Sequence, residues 1–269
     1  GNVLDLGRGP IRLSAERDPA NLPWDDVDIV LECTGFFTTD TAAAQHLTNG
    51  AGKVLISAPG KGDLKTIVYG VNDDTLTAAD KIVSNGSCTT NCLAPVAQAL
   101  DAAFDIQRGT MTTVHAYTGG QPTHDSVNAD PVRGRAAALS MIPTSTGAAK
   151  AIGQVLPHLD GRIFGTSIRV PTPNVSCVDL TVEVAKATDI EAVNAALRSA
   201  AAAHPDVLRV EHRPLVSVDF NHDSASSTVA LDQTHVVDGT MVRVLAWYDN
   251  EWGFSNRMLD TANVMAQLT

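Results

Sequence analysis

Short apolar runs alternate with helical patterns in the first third of the chain. Residues 28–33 and 53–57 are largely apolar throughout, which is typical of parallel strands covered on both faces. Residues 38–47 have the pattern of a helix that begins at a Thr or Asp N-cap and ends near Gly50. Further short strands are predicted at residues 66–71 and 81–84. This alternation of strand and helix predicts a parallel, doubly wound sheet.

The pattern changes in the middle of the chain. A long apolar helix is predicted over residues 92–104, with its start at or just after Cys88. Alternating β-branched runs at residues 110–117 and 167–184 follow, and they are typical of a half-buried mixed or antiparallel sheet. A capping box of Thr188 and Glu191 predicts a helix over residues 189–203.

The last part of the chain combines strands with a terminal helix. Strands are predicted at residues 216–220, 227–231 and 241–248, with a hairpin turn at Asp238 and Gly239. A helix over residues 251–268 places six apolar side chains on one face: Phe254, Met258, Leu259, Ala262, Met265 and Ala266. The pattern therefore predicts an α/β part, then an α+β part, then one helix.

Composition narrows the class of protein. The 269 residues are 44% hydrophobic, enough for one large or two ordinary domains, and the net charge of −11 disfavours nucleic acid and anionic membranes as partners. No apolar run reaches the roughly 18 residues of a membrane span, and residues 1–10 do not resemble a signal peptide. Four cysteines form no disulfide framework and no zinc or redox motif, so a cytoplasmic protein without a metal is predicted.

Cys88 is the first candidate for chemistry. It lies between a predicted strand and a predicted helix, where free N–H groups and the positive helix end favour a thiolate. His115 lies on a later predicted strand and could complete an activated nucleophile. From spacing alone, an inert buried cysteine beside a core histidine is the more common arrangement, so spacing does not establish a nucleophile.

The resemblance of five motifs to a known family favours the activated nucleophile. The segment Ser-Asn-Gly-Ser-Cys-Thr-Thr-Asn-Cys-Leu-Ala-Pro at residues 84–95 resembles the active-site segment of the phosphorylating glyceraldehyde-3-phosphate dehydrogenases. The similarity continues, in family order, at residues 113–118, 142–150, 169–176 and 247–257. The resemblance implies a partial Rossmann-type domain at residues 1–87, a catalytic domain at residues 88–249, and a helix at residues 250–269 that packs on the first domain.

The resemblance also implies roles for individual residues. Cys88 would attack the aldehyde of glyceraldehyde 3-phosphate, and His115 would accept the proton as a hydride leaves for NAD. Inorganic phosphate would then attack the resulting thioester. The substrate phosphate is assigned to Thr118 and Arg169, and the attacking phosphate to Ser87, Thr89, Thr146 and Gly147, with Arg135 between the two sites. The cofactor is assigned to Thr34, Gly35, Ser57, Asn250 and Phe254.

The N-terminal part of the family pattern is missing. No strand, G-x-G-x-x-G turn and ribose-binding acidic residue precede these motifs, so about half of a typical dinucleotide domain is absent. The chain is therefore either a fragment or a natural truncation. NADP is not excluded as the cofactor, because the residue that would discriminate the ribose is not in the sequence.

Alternative functions stay open beside this one. Erythrose 4-phosphate is a second possible substrate, and a truncated homologue without activity could serve as an interaction subunit. A cysteine hydrolase is disfavoured, because two phosphate-site motifs would then have no purpose. The loop at residues 121–141 resembles one that crosses a subunit interface in the family, which implies a homotetramer. Cys92 is predicted to pack in the core, as are Cys33 and Cys177, and the remaining histidines are predicted to be at the surface or structural.

Overall fold

A computed structural model describes residues 2–268. Five α-helices lie in these residues: α1 (Asp40–Thr48), α2 (Cys88–Phe104), α3 (Ala148–Val155), α4 (Ile190–Ala203) and α5 (Trp252–Gln267). The strands are β1 (Val3–Asp5), β2 (Pro10–Arg12), β3 (Ile29–Glu32), β4 (Lys53–Ile56), β5 (Ile82–Ser84), β6 (Ile106–Ala116), β7 (Ile142–Ser145), β8 (Ile163–Val170), β9 (Ser176–Val184), β10 (Leu208–Glu211), β11 (Ser227–Ala230), β12 (His235–Val237) and β13 (Met241–Tyr248).

The first sheet is parallel, in the order β3-β4-β5. All four residues of β4 are buried, as the apolar run predicted for a strand covered on both faces. The Thr39 side chain accepts a hydrogen bond from the Ala42 N–H and caps α1. Because the strands are parallel, their carboxyl ends lie at one edge of the sheet, and the chain leaves β5 at this edge to begin α2.

The second sheet is mixed, in the order β10-β11-β13-β9-β6-β8-β7, with β12 paired to β13. The pairs β6·β8 and β10·β11 are parallel and the others antiparallel. Helices α2, α3 and α4 contribute Leu93, Ile152 and Leu197 to the core against this sheet. The α/β fold class with a parallel sheet followed by a mixed sheet is thereby confirmed.

Helix α5 returns to the parallel sheet, as predicted. Met258 and Met265 are buried against Leu55 and Val83, with Phe254 and Ala262 partly buried beside them. Two of the six predicted face residues were wrong, since Leu259 and Ala266 are exposed. Their angular positions on the helix lie outside the narrower stripe that the small sheet covers.

Two predicted strands were wrong. Residues 66–71 form only a single bridge from Thr66 to Ser84, because the Asn72 side chain bonds the backbone instead. Its Oδ1 accepts from the Val68 N–H at 2.7 Å, and its Nδ2 donates to the Thr66 carbonyl at 2.9 Å. Ser217–Phe220 is a 3-10 turn rather than a strand, with the Asp219 carboxylate accepting from the Val216 N–H at 2.9 Å.

Smaller differences concern caps and burial. Asp189, not Thr188, caps α4, and its carboxylate accepts from the Ala192 N–H at 2.8 Å. The predicted run 167–184 is two strands, β8 and β9, separated by a turn. The core prediction for Cys33 was wrong: it is exposed, because it lies in the loop after β3 and not within the strand.

Candidate active site

The structure brings Cys88 and His115 together. Cys88 is the first residue of α2, as the sequence indicated, and the Ser87 hydroxyl caps this helix by accepting from the Thr90 N–H. His115 lies near the end of β6 and is 4% exposed. The Cys88 Sγ lies 3.5 Å from the His115 Nε2, within reach for proton transfer. The inert-cysteine alternative does not require this contact.

A network of side chains holds the turn before Cys88. Gly86 has a φ of +66°, a conformation that side chains disfavour. The Asn91 Nδ2 donates to the carbonyls of Asn85 and Ser87 at 2.8 and 3.0 Å. The Thr261 hydroxyl donates to the Asn85 Oδ1 at 2.8 Å, so α5 is bonded directly to the turn that carries the nucleophile.

Burial opposes ionisation of the thiol. It raises the pKa of Cys88, although hydrogen bonds from Thr89 and the charge of Arg169 act in the opposite direction. The helix start was expected to favour the thiolate, but burial outweighs it. A base that accepts the proton is therefore needed, and His115 is the side chain in contact.

His115 is held in a neutral form by its surroundings. Burial, together with the charge of Arg169, lowers the pKa of His115 to about 4. The Tyr248 ring meets the imidazole edge-on, with 5.9 Å between ring centroids. The Tyr248 hydroxyl is bonded in turn to Thr89 and Thr113, each at 2.8 Å. A neutral imidazole can act as a general base.

This lowered pKa predicts a pH dependence of stability. Between about pH 6.5 and pH 4 the unfolded chain binds a proton at His115 and the folded chain does not. The free energy of unfolding should therefore fall as the pH falls through this window, by about 3 kcal/mol from this residue. Urea unfolding at both pH values should show a smaller loss in His115→Asn than in the unsubstituted chain. Equal losses would contradict the lowered pKa.

Beside this pair lies an open cavity of about 90 Å³. Two guanidinium groups, those of Arg133 and Arg169, line it. The other lining residues carry no charge: Thr118, Gly120, Gln121, Ile142 and Thr144. Two arginines without a carboxylate in the lining suit a single doubly charged anion such as a phosphate group. Arg169 also contacts His115 Nδ1 at 2.8 Å, so the cavity adjoins the catalytic pair.

Arg133 is the residue that sequence reasoning missed. The prediction placed Arg135 between the phosphate sites, but Arg135 does not line this cavity and its guanidinium pairs with Asp125 at 3.0 Å. The Arg133 guanidinium instead donates to the Thr144 hydroxyl from Nε at 3.0 Å and from a terminal nitrogen at 2.7 Å. The two arginines are separated only by Gly134, and the local pattern has no signal that selects one over the other.

Comparison with known proteins identifies the family. Residues 87–250 match the glyceraldehyde 3-phosphate dehydrogenase C-terminal domain. The chain is 61% identical over 266 residues to a glyceraldehyde-3-phosphate dehydrogenase of Cereibacter sphaeroides, covering 98% of this chain and 80% of that protein. It is 58% identical to one of Xanthobacter flavus, covering all of this chain and 81% of that protein. The chain belongs to the glyceraldehyde-3-phosphate dehydrogenase family.

Similarity extends to a plant member of the family. The chain is 50% identical to the chloroplastic glyceraldehyde-3-phosphate dehydrogenase A of Zea mays, over 98% of this chain and 66% of that protein. The family resemblance read from five motifs is thus confirmed over nearly the whole chain.

The family resemblance assigns four further residues to the attacking phosphate. Ser87 and Thr89 lie at the start of α2, and Thr146 and Gly147 at the start of α3, which packs against α2. None of these four lines the two-arginine cavity. The Thr89 hydroxyl bonds Tyr248, and the Thr146 hydroxyl accepts from the Ala148 N–H at 3.2 Å. Their part in phosphate binding stays a prediction.

Three of the residues predicted to bind the cofactor lie at the carboxyl edge of the parallel sheet. Thr34 and Gly35 follow β3, and Ser57 follows β4, at the carboxyl edge of the parallel sheet where family folds place such ligands. The buried Glu32 holds this loop, because its Oε1 accepts from the Thr34 N–H at 2.7 Å. The chain leaves β5 at this edge and begins α2 at Cys88.

Two assigned residues lie at the other end of the chain. The Asn250 Oδ1 accepts from the Ser176 hydroxyl at 2.8 Å, and the same hydroxyl oxygen accepts from the Ala116 N–H at 3.0 Å. Asn250 is thereby tied to the strand that carries His115. Phe254 is partly buried where α5 packs against the parallel sheet.

The remaining cysteines and histidines lie outside the site. Cys92 and Cys177 are buried as predicted, and burial raises the pKa of both thiols. His46 is buried and structural, bonded to Glu32 and Trp24. Within residues 2–268, no group of three or more His, Cys, Asp or Glu side chains is arranged to hold a metal ion. None of the helices in these residues has the length and apolar character needed to cross a membrane.

Proposed function

We propose that the chain catalyses the phosphorylating oxidation of glyceraldehyde 3-phosphate to 1,3-bisphosphoglycerate, with NAD as the hydride acceptor. The observation that carries this proposal is the position of Arg169. Its guanidinium lines the anion cavity and contacts His115, so a phosphate bound there holds its attached aldehyde beside Cys88. The family relationship supports the same reaction.

The chemistry begins at the sulfur. The Cys88 Sγ bonds to the aldehyde carbon as its proton passes to the His115 Nε2, and His115 delivers that proton to the former aldehyde oxygen to give a hemithioacetal. The N–H of Cys88 lies in the first turn of α2, where N–H groups lack helical partners, and it can stabilise the oxygen of this intermediate. His115 then accepts the hydroxyl proton as the hydride leaves.

Bound NAD supplies the acceptor for that hydride. Loss of the hydride converts the hemithioacetal to a thioester on Cys88. Inorganic phosphate attacks the thioester carbonyl, the C–S bond breaks, and the acyl phosphate leaves while the sulfur is restored. The thioester retains the free energy of oxidation that hydrolysis would dissipate. Thr34, Gly35, Ser57, Asn250 and Phe254 would hold the cofactor at the carboxyl edge of the parallel sheet.

The decisive experiment follows the reduced cofactor and the acyl group separately. Purified protein is mixed with glyceraldehyde 3-phosphate and NAD, first without phosphate and then with it. We expect one equivalent of NADH and a hydroxylamine-sensitive acyl group on Cys88 without phosphate, and continuous turnover with it. Parallel assays with NADP and with erythrose 4-phosphate decide the cofactor and the sugar. A folded protein that binds neither dinucleotide by calorimetry would contradict this proposal and support the interaction-subunit alternative.

A matched pair of arginine variants tests the anion cavity. Arg133→Gln should raise the KM for the phosphorylated substrate or phosphate by about 10- to 100-fold, because a charged hydrogen bond is lost. Arg135→Gln should leave both KM values within about threefold, because Arg135 pairs with Asp125 in an exposed position. Steady-state kinetics on both variants decide between them. The reverse ranking would restore the sequence assignment of Arg135.

We further propose a homotetramer in the cytoplasm. The support is the exposed apolar surface of the loop at residues 121–141 and of the adjoining sheet. Leu139 is 83% exposed, Met141 is exposed two residues further along the chain, and Phe164 is exposed on β8, the strand paired with β7. Light scattering coupled to gel filtration measures the assembly, and a monomer at micromolar concentration would contradict this part of the proposal.

A further inference from the structure

The side chain of His46 is held in one tautomer by Trp24. The indole Nε1–H of Trp24 donates to the His46 Nδ1 at 3.0 Å. An indole nitrogen can only donate, so Nδ1 must accept, and the neutral ring carries its proton on Nε2. The His46 Nε2 lies 3.0 Å from the Glu32 Oε2, and both side chains are 3% exposed. The Nε2–H therefore donates to the buried carboxylate.

The same carboxylate holds the loop that follows β3. Its Oε1 accepts from the Thr34 N–H at 2.7 Å and from the Thr34 hydroxyl. The Thr34 hydroxyl oxygen accepts in turn from the Phe36 N–H at 3.2 Å, and Gly35 between them has a φ of +75°. Three donors thus meet the two oxygens of Glu32, so position 32 needs a side chain that accepts on both sides.

Helix α1 fixes the partners of this hydrogen-bond chain. His46 lies in its last turn, and the Phe37 ring meets the imidazole edge-on, with 5.6 Å between ring centroids. Asn49, the residue after the helix, donates from its Nδ2 to the Leu22 carbonyl. This bond ties the segment that carries Trp24 to the end of α1, and the indole is thereby held against the imidazole.

We propose that Trp24, acting through His46, requires a carboxylate at position 32 and thereby positions the loop at residues 34–36 for the cofactor. Trp24 fixes the imidazole tautomer, the imidazole presents a donor to Glu32, and Glu32 accepts from the loop. This inference rests on the proposed function, because Thr34 and Gly35 are among the residues assigned to NAD. Trp24, His46 and Glu32 are positioning residues, since they act through the loop rather than on the reacting atoms.

Glu32→Gln tests this role, because glutamine has one accepting and one donating end. If its oxygen faces Thr34, its amide N–H groups meet the Nε2–H of His46. His46 could move its proton to Nδ1, but the Nδ1–H would then meet the Trp24 N–H. If the amide is reversed, its N–H groups meet the Thr34 N–H instead. Each arrangement leaves a donor unpaired at a buried site, which costs free energy.

Trp24→Phe removes this conflict. Without the indole N–H, His46 can carry its proton on Nδ1, and water can accept it because position 24 is only half-buried. The His46 Nε2 can then accept from the glutamine amide. The double variant should therefore be less impaired than Glu32→Gln alone, whereas two separate losses of packing would add. Trp24→Phe alone should change little, because the Nε2–H still donates to Glu32.

Amide hydrogen exchange of the peptide at residues 33–37, followed by mass spectrometry, measures the loop without cofactor. We expect exchange about tenfold faster in Glu32→Gln, and within about threefold of the unsubstituted protein in Trp24→Phe and in the double variant. Exchange in the double variant as fast as in Glu32→Gln, or faster, would overturn the proposal.

The tautomer of His46 is measured separately, from the ¹⁵N shifts of labelled histidine. The signal is assigned by its loss in His46→Gln. The proton should lie on Nε2 in the unsubstituted protein and on Nδ1 in the double variant. A proton on Nδ1 in the unsubstituted protein would refute the role of Trp24, even if Glu32→Gln does not fold.

The KM for NAD measures the functional consequence. It should rise about tenfold in Glu32→Gln and return to within about threefold in the double variant, while kcat and the KM for the aldehyde change less than about threefold. Thr234→Val is the structural control, because the Thr234 hydroxyl donates to the buried Asn194 Oδ1 at 2.7 Å, on α4. It should lower the urea midpoint of unfolding and leave the KM for NAD unchanged.

Failure of this inference is distinguishable from failure of the proposed reaction. Normal NADH formation with the same KM for NAD in Glu32→Gln would leave the dehydrogenase intact and remove the positioning role. A protein that forms no NADH would contradict the proposed reaction, and the exchange and tautomer measurements would still decide whether Trp24 and His46 control the loop.

Discussion

Cys88→Ser should abolish NADH formation, with a loss of at least about a thousandfold in kcat. The serine hydroxyl replaces the thiol at nearly the same position beside His115 Nε2 but is a much weaker acid, so it forms far less of the attacking anion. Substrate binding should persist, because Arg133 and Arg169 are untouched. Stopped-flow detection of NADH, with and without phosphate, measures both the acylation step and turnover.

Cys92→Ala is the matched control, one helical turn further along α2. The Cys92 thiol lies in the core, 3.5 Å from the Ser227 hydroxyl, and does not line the cavity. Its removal should lower the free energy of unfolding by about 1 kcal/mol and leave kcat within twofold. Activity in Cys88→Ser above a few per cent of the original would refute the nucleophile assignment, as would equal losses in the two variants.

Much of the fold could be predicted because strands that are buried on both faces have largely apolar sequences. Strand β4 is buried along its whole length and apolar after Lys53, and the helix start at Cys88 follows from Ser87 as a cap. Residues 66–71 have a similar apolar pattern, and Ile67 and Val68 are fully buried, yet this segment forms no strand. The side chain of Asn72 bonds their backbone, and such a local competition is not visible in hydrophobic periodicity.

The site could be predicted only in part for a related reason. Cys88 and His115 belong to motifs with strict spacing, and the sheet and helix that carry them meet as expected. Arg133 and Arg135 lie on an irregular loop, where direction depends on which carboxylate or hydroxyl each guanidinium meets. Asp125 holds one and Thr144 the other, and both partners lie about ten residues away along the chain. Cys33 is likewise exposed because β3 ends at Glu32, and the apolar pattern does not fix the last residue of a strand.

His115→Asn should lower kcat about 10²- to 10⁴-fold and change the pH dependence of the rate. Asparagine cannot accept the thiol proton, so the variant depends on spontaneous ionisation of Cys88, whose pKa burial raises. Its rate should therefore keep rising toward alkaline pH without a plateau. The unsubstituted enzyme transfers the proton within the pair and should reach a plateau at lower pH.

The pH–rate profile distinguishes this role from a structural one, because general damage lowers the rate at every pH by a similar factor. His158→Asn provides the control. His158 is exposed, and its Nε2 lies 2.8 Å from the Asp101 carboxylate. This control should keep both the rate and the profile. If His115→Asn retained the plateau of the unsubstituted enzyme at a uniformly lower rate, the base would have to be another group. Tyr248, which packs against His115, is the alternative base. Burial raises the pKa of its hydroxyl, so the hydroxyl stays protonated and cannot accept the thiol proton. The imidazole is therefore assigned the proton.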